Sequence, residues 1–540
     1  MNVTDFVEDL EAQGVELWVH EDRLRYRGSQ DLVTPAVIAQ IKERKEEIIA
    51  LQRKRVRNSR LFPLSHGQSA LWFLYELAPA SFAYHMGFAA GIYSHVNVLA
   101  LQRALRNMSE RHASLRTTFR KRNGIPVQEI HSNLAPAFEA VDVEPLDGAA
   151  LRTKVIEAHK CPFDLERGPL LRVRLFTRTS EHHVLLLTVH HLVCDAWSLW
   201  LLLEELGAAY QAETEGTTAA LPPLGGEYTD FVRWQRGLIH DEEGERLWAY
   251  WKNQLSGELP VLNLATDRPR PPAQTFNGGS VNFRLGPSMT ARVRALAAAE
   301  GTTLYMTLFA TFAVLVHRHA GQEEVLLGSP TSGRSKREFA EILGDFINTV
   351  VVRSSIAGDP SFRAYLARFS EIALEAIAHE TFPFSLLVER LCLRRDPNRS
   401  PLFQVLFNFL KPQKFQDAIE LWVSGEAGNR VGWGGLSIGP FALPQQEGQV
   451  DLALEMIEGK TSLLGIIKYN VDLFDGATIE RMAGHFETLL EHIVVDPDQP
   501  LSRVPMLREA ERHQLLIEWN STHADFPRDQ CVHQLFEEQA

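Results

Sequence analysis

Apolar positions at Val3, Phe6, Val7 and Leu10 recur at the spacing of an amphipathic helix, and Gly14 stands where that helix would stop. Two strand-like runs follow, residues 15–20 and 23–27. In the second, Leu24 and Tyr26 alternate with Arg23, Arg25 and Arg27, which predicts one buried face and one guanidinium face. Thr34-Pro35 reads as a cap followed by a proline at the first helical position. Val37, Ile38, Ile41, Ile48 and Ile49 line one side of the helix it opens. Residues 1–58 therefore read as a small α-β-β-α unit, running out into the basic stretch Arg53, Lys54, Arg55, Arg57 and Arg60.

From residue 61 to about 505, strand-like and helix-like segments alternate. The apolar run 183–189 is followed by a helix over 197–211; strands at 324–328 and 349–354 precede a helix over 361–379. That is a mixed α/β pattern. Proline clusters at Pro222-Pro223 and residues 269–272 suit two lobes, 59–235 and 236–505, with a seam near 235–275. Residues 506–540 read as a linker ending in an amphipathic helix that has just begun, so the chain reads as a piece of something longer.

A length of 540 residues fits three or four units. The net charge of −13 speaks against a protein built to wrap nucleic acid. Cys161, Cys194, Cys392 and Cys531 lie far apart with no CxxC pair, which argues against a disulfide scaffold or a cysteine zinc site and suits a reducing cytoplasm. No charged-then-apolar leader opens the sequence. Apolar stretches such as residues 199–203 are too short for a membrane span.

The candidate chemistry lies in His190-His191-Leu192-Val193-Cys194-Asp195-Ala196-Trp197-Ser198, between an apolar strand and an apolar helix. Such a junction can aim an imidazole into a cleft while the backbone is held on both sides, and histidine moves protons near neutral pH. Two quieter readings compete: core histidines beside an Asp195 that only caps a helix, and a zinc site. Adjacent histidines on extended backbone point to opposite sides, and no HExxH or third ligand is near, so metal ranks last. The arginine-bearing strand likewise has two readings, a docking edge for an extended acidic peptide and an ordinary solvated face.

The histidine segment resembles the HHxxxDG signature of nonribosomal peptide synthetase condensation domains, and other blocks follow suit. Leu64-Ser65-His66-Gly67-Gln68-Ser69-Ala70-Leu71-Trp72 is similar to that family's first motif. Arg111-His112-Ala113-Ser114-Leu115-Arg116-Thr117-Thr118-Phe119 resembles its RHExLRTxF, with Ala113 where glutamate is usual. Tyr228-Thr229-Asp230-Phe231-Val232-Arg233-Trp234 resembles the fourth block. Residues 328–334 and Gly344-Asp345-Phe346-Ile347-Asn348-Thr349 resemble the fifth, residues 379–388 the sixth and residues 395–403 the last. Residues 1–55 look like a TubC-like N-terminal docking domain, and residues from about 519 look like the start of an adenylation domain.

The resemblance implies a chloramphenicol-acetyltransferase-like, two-lobed, V-shaped pseudo-dimer with a tunnel meeting at the histidines. It implies amide formation between an upstream carrier-bound acyl or peptidyl thioester and a downstream carrier-bound aminoacyl amine, in a peptide or hybrid polyketide/peptide synthetase. No cofactor would be resident; phosphopantetheine arms arrive on donor and acceptor carrier proteins. His191 matches the active-site histidine, His190 orients the loop, and Asp195 matches an aspartate in a structural ion pair, with Arg334 as first candidate partner and Arg116 as second. Trp197, Ser198 and Asn348 keep family positions around the site. Ala196 replaces a glycine, so its methyl would crowd the tunnel or fail outright where φ must be positive. The docking domain would take the C-terminal linear segment of an upstream subunit through Arg23, Arg25 and Arg27, and the chain's own adenylation domain would follow. Partners would include neither nucleic acid nor membrane. The alternatives are a starter-type N-acylating domain, an epimerisation domain, and an inactive fold kept for recruitment.

Overall fold

The computed structural model describes residues 3, 6–7, 10, 16–20, 23–27, 34–49, 60–144, 146–391, 396–424, 428–443, 449–523, 525 and 529–540. Of these, the side chains of residues 16–20, 23, 25–27, 35–36 and 424 are not described. Cys392 and Arg395 lie outside the described residues, as do the side chains of Arg23, Arg25 and Arg27.

At the start, strand Glu16–His20 pairs antiparallel with strand Arg23–Arg27, with Trp18 opposite Arg25. Helix Pro35–Glu43 follows, and the Thr34 hydroxyl accepts the Val37 N–H at 3.3 Å. Phe6, Val7, Leu10, Ile41 and Ile48 bury one another in a core of their own.

The rest is built on two six-stranded mixed sheets, each backed by helices, beside a small antiparallel sheet of strands Arg60–Pro63, Ile125–Ile130 and Thr117–Arg122. In the first, strands run in the order Val431–Trp433, Leu436–Pro440, His85–Ile92, His182–His190, Leu171–Thr179 and Ala137–Asp142. In the second the order is Gly278–Leu285, Leu463–Asn470, Leu452–Glu458, Val405–Leu410, Glu324–Thr331 and Asn348–Ser355. His182–His190 is an interior strand, with Val184, Leu185, Leu186, Leu187 and Val189 all buried. That accounts for its unbroken apolar run. Helix Ala196–Glu215 then begins under an Asp195 cap and stops at Gly216, whose φ of 68° is the left-handed stop that glycine adopts freely.

A cut at residue 235 does not separate the two sheets. Strands Val431–Trp433 and Leu436–Pro440 come from the second half of the chain but extend the first sheet, with Ile438 opposite Ile92. The loop between Glu324–Thr331 and Asn348–Ser355 also crosses over. Its Leu343 is buried in the first lobe's core, and Phe339, Ile342 and Phe346 close a cluster with Tyr228 and Phe231. Among the described residues no single helix is long and apolar enough to cross a membrane.

Candidate active site

His190 closes the central strand and His191 opens a single helical turn, His191–Val193. The chain is pinned there from several sides. The His190 N–H donates to the Leu170 carbonyl at 3.0 Å and the His191 N–H to the Tyr84 carbonyl at 2.9 Å. The Gln68 amide, from the first of the motif blocks, donates to the Leu192 carbonyl at 3.0 Å. Gln68 is itself locked in a reciprocal cap with Ser65. The two imidazoles have different duties. His190 is buried, and its Nδ1 accepts the Leu192 N–H at 3.2 Å, so the proton of the neutral ring sits on Nε2. Burial, aided by the nearby His85, His191 and Arg172, holds its pKa well below the ordinary histidine value. His191 keeps 20% of its side chain exposed.

Asp345, from the crossing loop, places Oδ1 3.2 Å from His191 Nδ1. The carboxylate sits off the axis of the ring N–H, which makes the contact an ion contact rather than a linear hydrogen bond. Burial works to lower the His191 pKa, but Asp345, and behind it Asp195, outweigh it, so the ring binds its proton more tightly than free histidine. Burial raises the Asp345 pKa against the opposing pull of His191.

Asp195 spends both oxygens on structure. Oδ1 accepts the Ser198 N–H at 2.7 Å, Oδ2 accepts the Phe346 N–H at 3.1 Å, and Arg334 Nη2 lies 3.2 and 3.3 Å from the two. This pair is buried, at 4% and 1% side-chain exposure. Arg334 also donates to Ser198 Oγ and the Ile342 carbonyl and lies over the Phe346 ring. Arg116 goes elsewhere: its guanidinium donates to the carbonyls of Ser109 and His131 and lines a separate cleft. Ser198 donates to the Gly344 carbonyl and accepts its N–H, and Trp197 Nε1 donates to the Ala340 carbonyl at 3.0 Å. Three near-consecutive side chains of one lobe thus grip the other lobe's loop. Gly333 makes that loop possible, since at φ 61° a Cβ would sit 1.7 Å from the Phe346 carbonyl oxygen. Asn348 stands apart from His191 and braces the turn at residues 380–384 through the Glu380 and Phe382 carbonyls and the Phe384 N–H.

The concern over positive φ at Ala196 is removed. Ala196 is the first residue of an ordinary helix and is not among the described residues in the left-handed region, so a methyl group suits its backbone. No described group accepts the N–H of Ala196 or of Trp197. Two surface clefts, of 680 and 560 Å³, lie away from His191 and contain none of its neighbours.

Sequence reasoning passed over Asp345, Gln68 and Tyr228, whose hydroxyl donates to the Asp345 carbonyl at 2.6 Å. All three lie in the blocks quoted above. The acidic residue directly after Gly344 was the available signal.

A condensation-domain family model matches residues 58–516, and a TubC N-terminal docking-domain model matches residues 3–53. One of the linear gramicidin synthase proteins of Brevibacillus parabrevis is 39% identical over 478 residues, which cover 87% of this chain and 6% of that protein. Chondramide synthase of Chondromyces crocatus is 38% identical over 486 residues, covering 89% of this chain and 12% of that one. The chain therefore spans about a tenth of the length of these relatives. Among solved structures, a four-domain nonribosomal peptide synthetase bound to AMP and glycine superposes with a TM-score of 0.77 at 25% identity, covering 84% of this chain and 35% of that one. The X-domain from teicoplanin biosynthesis superposes at 0.72 and 25% identity, covering 82% and 97%. The fold is thus the two-lobed, chloramphenicol-acetyltransferase-like α/β arrangement, and with its histidine turn wedged between the lobes the chain belongs to the condensation-domain family of nonribosomal peptide synthetases, carrying a TubC-type docking domain in front.

Proposed function

We propose that this chain is an amide-forming acyltransferase, joining a carrier-bound acyl or peptidyl thioester to a carrier-bound aminoacyl amine. The observation that carries this reading is His191: half-buried, paired with a carboxylate through Nδ1, and set where segments of both lobes converge. The acceptor nitrogen attacks the thioester carbonyl carbon, and a C–N bond forms. His191 Nε2 takes the proton that nitrogen sheds; the C–S bond then breaks and the departing thiolate recovers the proton. The products are one amide and one free phosphopantetheine thiol. Holding two tethered reactants together removes much of the entropic barrier. The uncommitted N–H groups of Ala196 and Trp197, in the first turn of a 20-residue helix, are suited to the oxyanion. The Asp195–Arg334 pair keeps the lobes in register. The TubC-type domain recruits the upstream subunit's C-terminal segment, and an adenylation domain follows on the same polypeptide.

The test is to mix the chain with an acyl-loaded donor carrier and an aminoacyl-loaded acceptor carrier and weigh the intact acceptor. The wild type adds the acyl mass; His191→Ala reduces that gain at least a hundredfold, on the scale of general-base catalysis. Undiminished turnover in His191→Ala removes the assigned role. A wild type that transfers nothing favours a recruitment platform, a reading kept open by the X-domain neighbour, also solved in complex with OxyB.

A further inference from the structure

Resting on the amide-forming reading above, we propose that Asp345 is a positioning residue for His191, holding Nδ1 toward itself so that Nε2 faces the acceptor nitrogen, and making the ring a stronger base. The loop is built to leave the Asp345 side chain little choice. Gly344 is clasped by Ser198 through both its N–H and its carbonyl, the Asp345 carbonyl takes the Tyr228 hydroxyl, and the Phe346 N–H is tied to Asp195. Backbone is therefore fixed before, at and after residue 345. The carboxylate itself is 5% exposed. Among the described residues only His191 forms a hydrogen bond or ion pair with its oxygens. Room for it is left by Gly67, where a Cβ would come within 3.3 Å of Oδ2.

A buried carboxylate with one partner is costly unless that partner carries charge. The other ionisable groups facing the pair do not supply it: Asp195 is already balanced by Arg334, His190 is held neutral by burial with its Nδ1 accepting the Leu192 N–H, and Tyr228 and Cys194 are held protonated by burial. A protonated His191 beside an ionised Asp345 is neutral overall, whereas a deprotonated ring strands a buried anion. The pair consequently keeps a proton more firmly than a lone imidazole, which agrees with both groups titrating above their ordinary values. This matches the acceptor's chemistry. The acceptor attacks as its neutral amine, and the proton its nitrogen sheds as the C–N bond forms passes to a base of higher proton affinity with less uphill work.

The experiment compares the full chain with its Asp345→Asn variant, using carrier-bound substrates, from pH 5.5 to 9. Asparagine keeps the shape and removes the charge. The acid limb of the rate profile, set by His191 losing its proton, is expected to move down by about one pH unit or more, with at least a tenfold fall in kcat and little change in KM. A Ser198→Ala variant loosens the same loop without removing charge and is expected to slow turnover while leaving the limb in place. In parallel, ¹⁵N-histidine NMR follows the His191 ring, identified by its loss in His191→Gln, and its midpoint drops with the limb. Should asparagine not be tolerated, Asp345→Ser gives the same displacement. An unmoved limb and midpoint in both Asp345 variants, or an equal shift in Ser198→Ala, overturns the assignment. A wild type that forms no amide yet shows an Asp345-dependent ring titration sinks the functional reading and leaves the pairing standing.

Discussion

Behind the His191 turn, the ring of His85 packs edge to face with those of His159 and His190, at 6.0 Å and 6.1 Å between centroids. His85 Nδ1 donates to the His159 carbonyl, leaving Nε2 buried without a partner. Burial, reinforced by His159 and Arg172, lowers His85 to about 4, and burial with Arg172 and Lys160 does the same to His159. These are folded-state values below the unfolded value of about 6.5. The unfolded chain therefore binds more protons between pH 6.5 and 4, and stability falls as pH drops through that window. Each ring contributes up to about 3 kcal/mol at full depth. His191 has the opposite sign, its share being present below pH 6.5 and lost as pH rises through its raised value. We predict that the urea midpoint falls steeply from pH 7 to pH 5, and that His159→Gln narrows that fall by at least ~1 kcal/mol. Identical losses in variant and wild type would show that this ring titrates normally.

Helix Ala196–Glu215 carries Asp195 at its head and a deliberate gap at Gly207 midway. The indole of Trp433, from the hairpin that crosses from the other half of the chain, occupies that gap and donates to the Leu203 carbonyl at 2.8 Å. A Cβ at Gly207 would lie 2.5 Å from Trp433 Nε1. Alanine normally improves a helix interior by about 1 kcal/mol. Here the collision dominates, and Gly207→Ala should lower stability by about 1–3 kcal/mol, read from the denaturant midpoint; a raised midpoint would mean that the indole has other room. The ends of this helix were legible, because Asp195 and Gly216 are local signals. The hairpin's destination was not. Trp433-Gly434-Gly435-Leu436 announces a turn, but nothing within reach of it says which sheet its strands will extend. The site divides the same way. His191, Asp195 and Arg334 could be found from motif letters, whereas the Asp345–His191 contact joins residues 154 positions apart and exists only once the loop has crossed.

That crossing governs how the whole molecule holds together. The first sheet is completed by strands from residues 431–440, and the Tyr228–Phe231 cluster by Phe339 and Phe346. Residues 60–255 expressed alone would therefore leave strand His85–Ile92 as an open apolar edge, with Ala90 and Ile92 exposed and the Gly207 gap unfilled. Unpaired edges of that kind aggregate. The docking unit is the contrary case, since Phe6, Val7, Leu10, Ile41 and Ile48 are buried against one another. Removing residues 1–58 should shift the melting temperature of the body by no more than about 2 °C, because among the described residues the cores of the body take none from this segment. On the proposed docking role, the same cut should also weaken capture of the upstream subunit's C-terminal segment, and capture by the full chain should fade as salt rises. Scanning calorimetry on the three lengths separates the cases. The full chain and the 59–540 form should share one main transition, and the 60–255 fragment should show none. A cooperative melt from that fragment would mean that the first lobe is an independent folding unit, and that the crossing segments join two finished lobes instead of completing them.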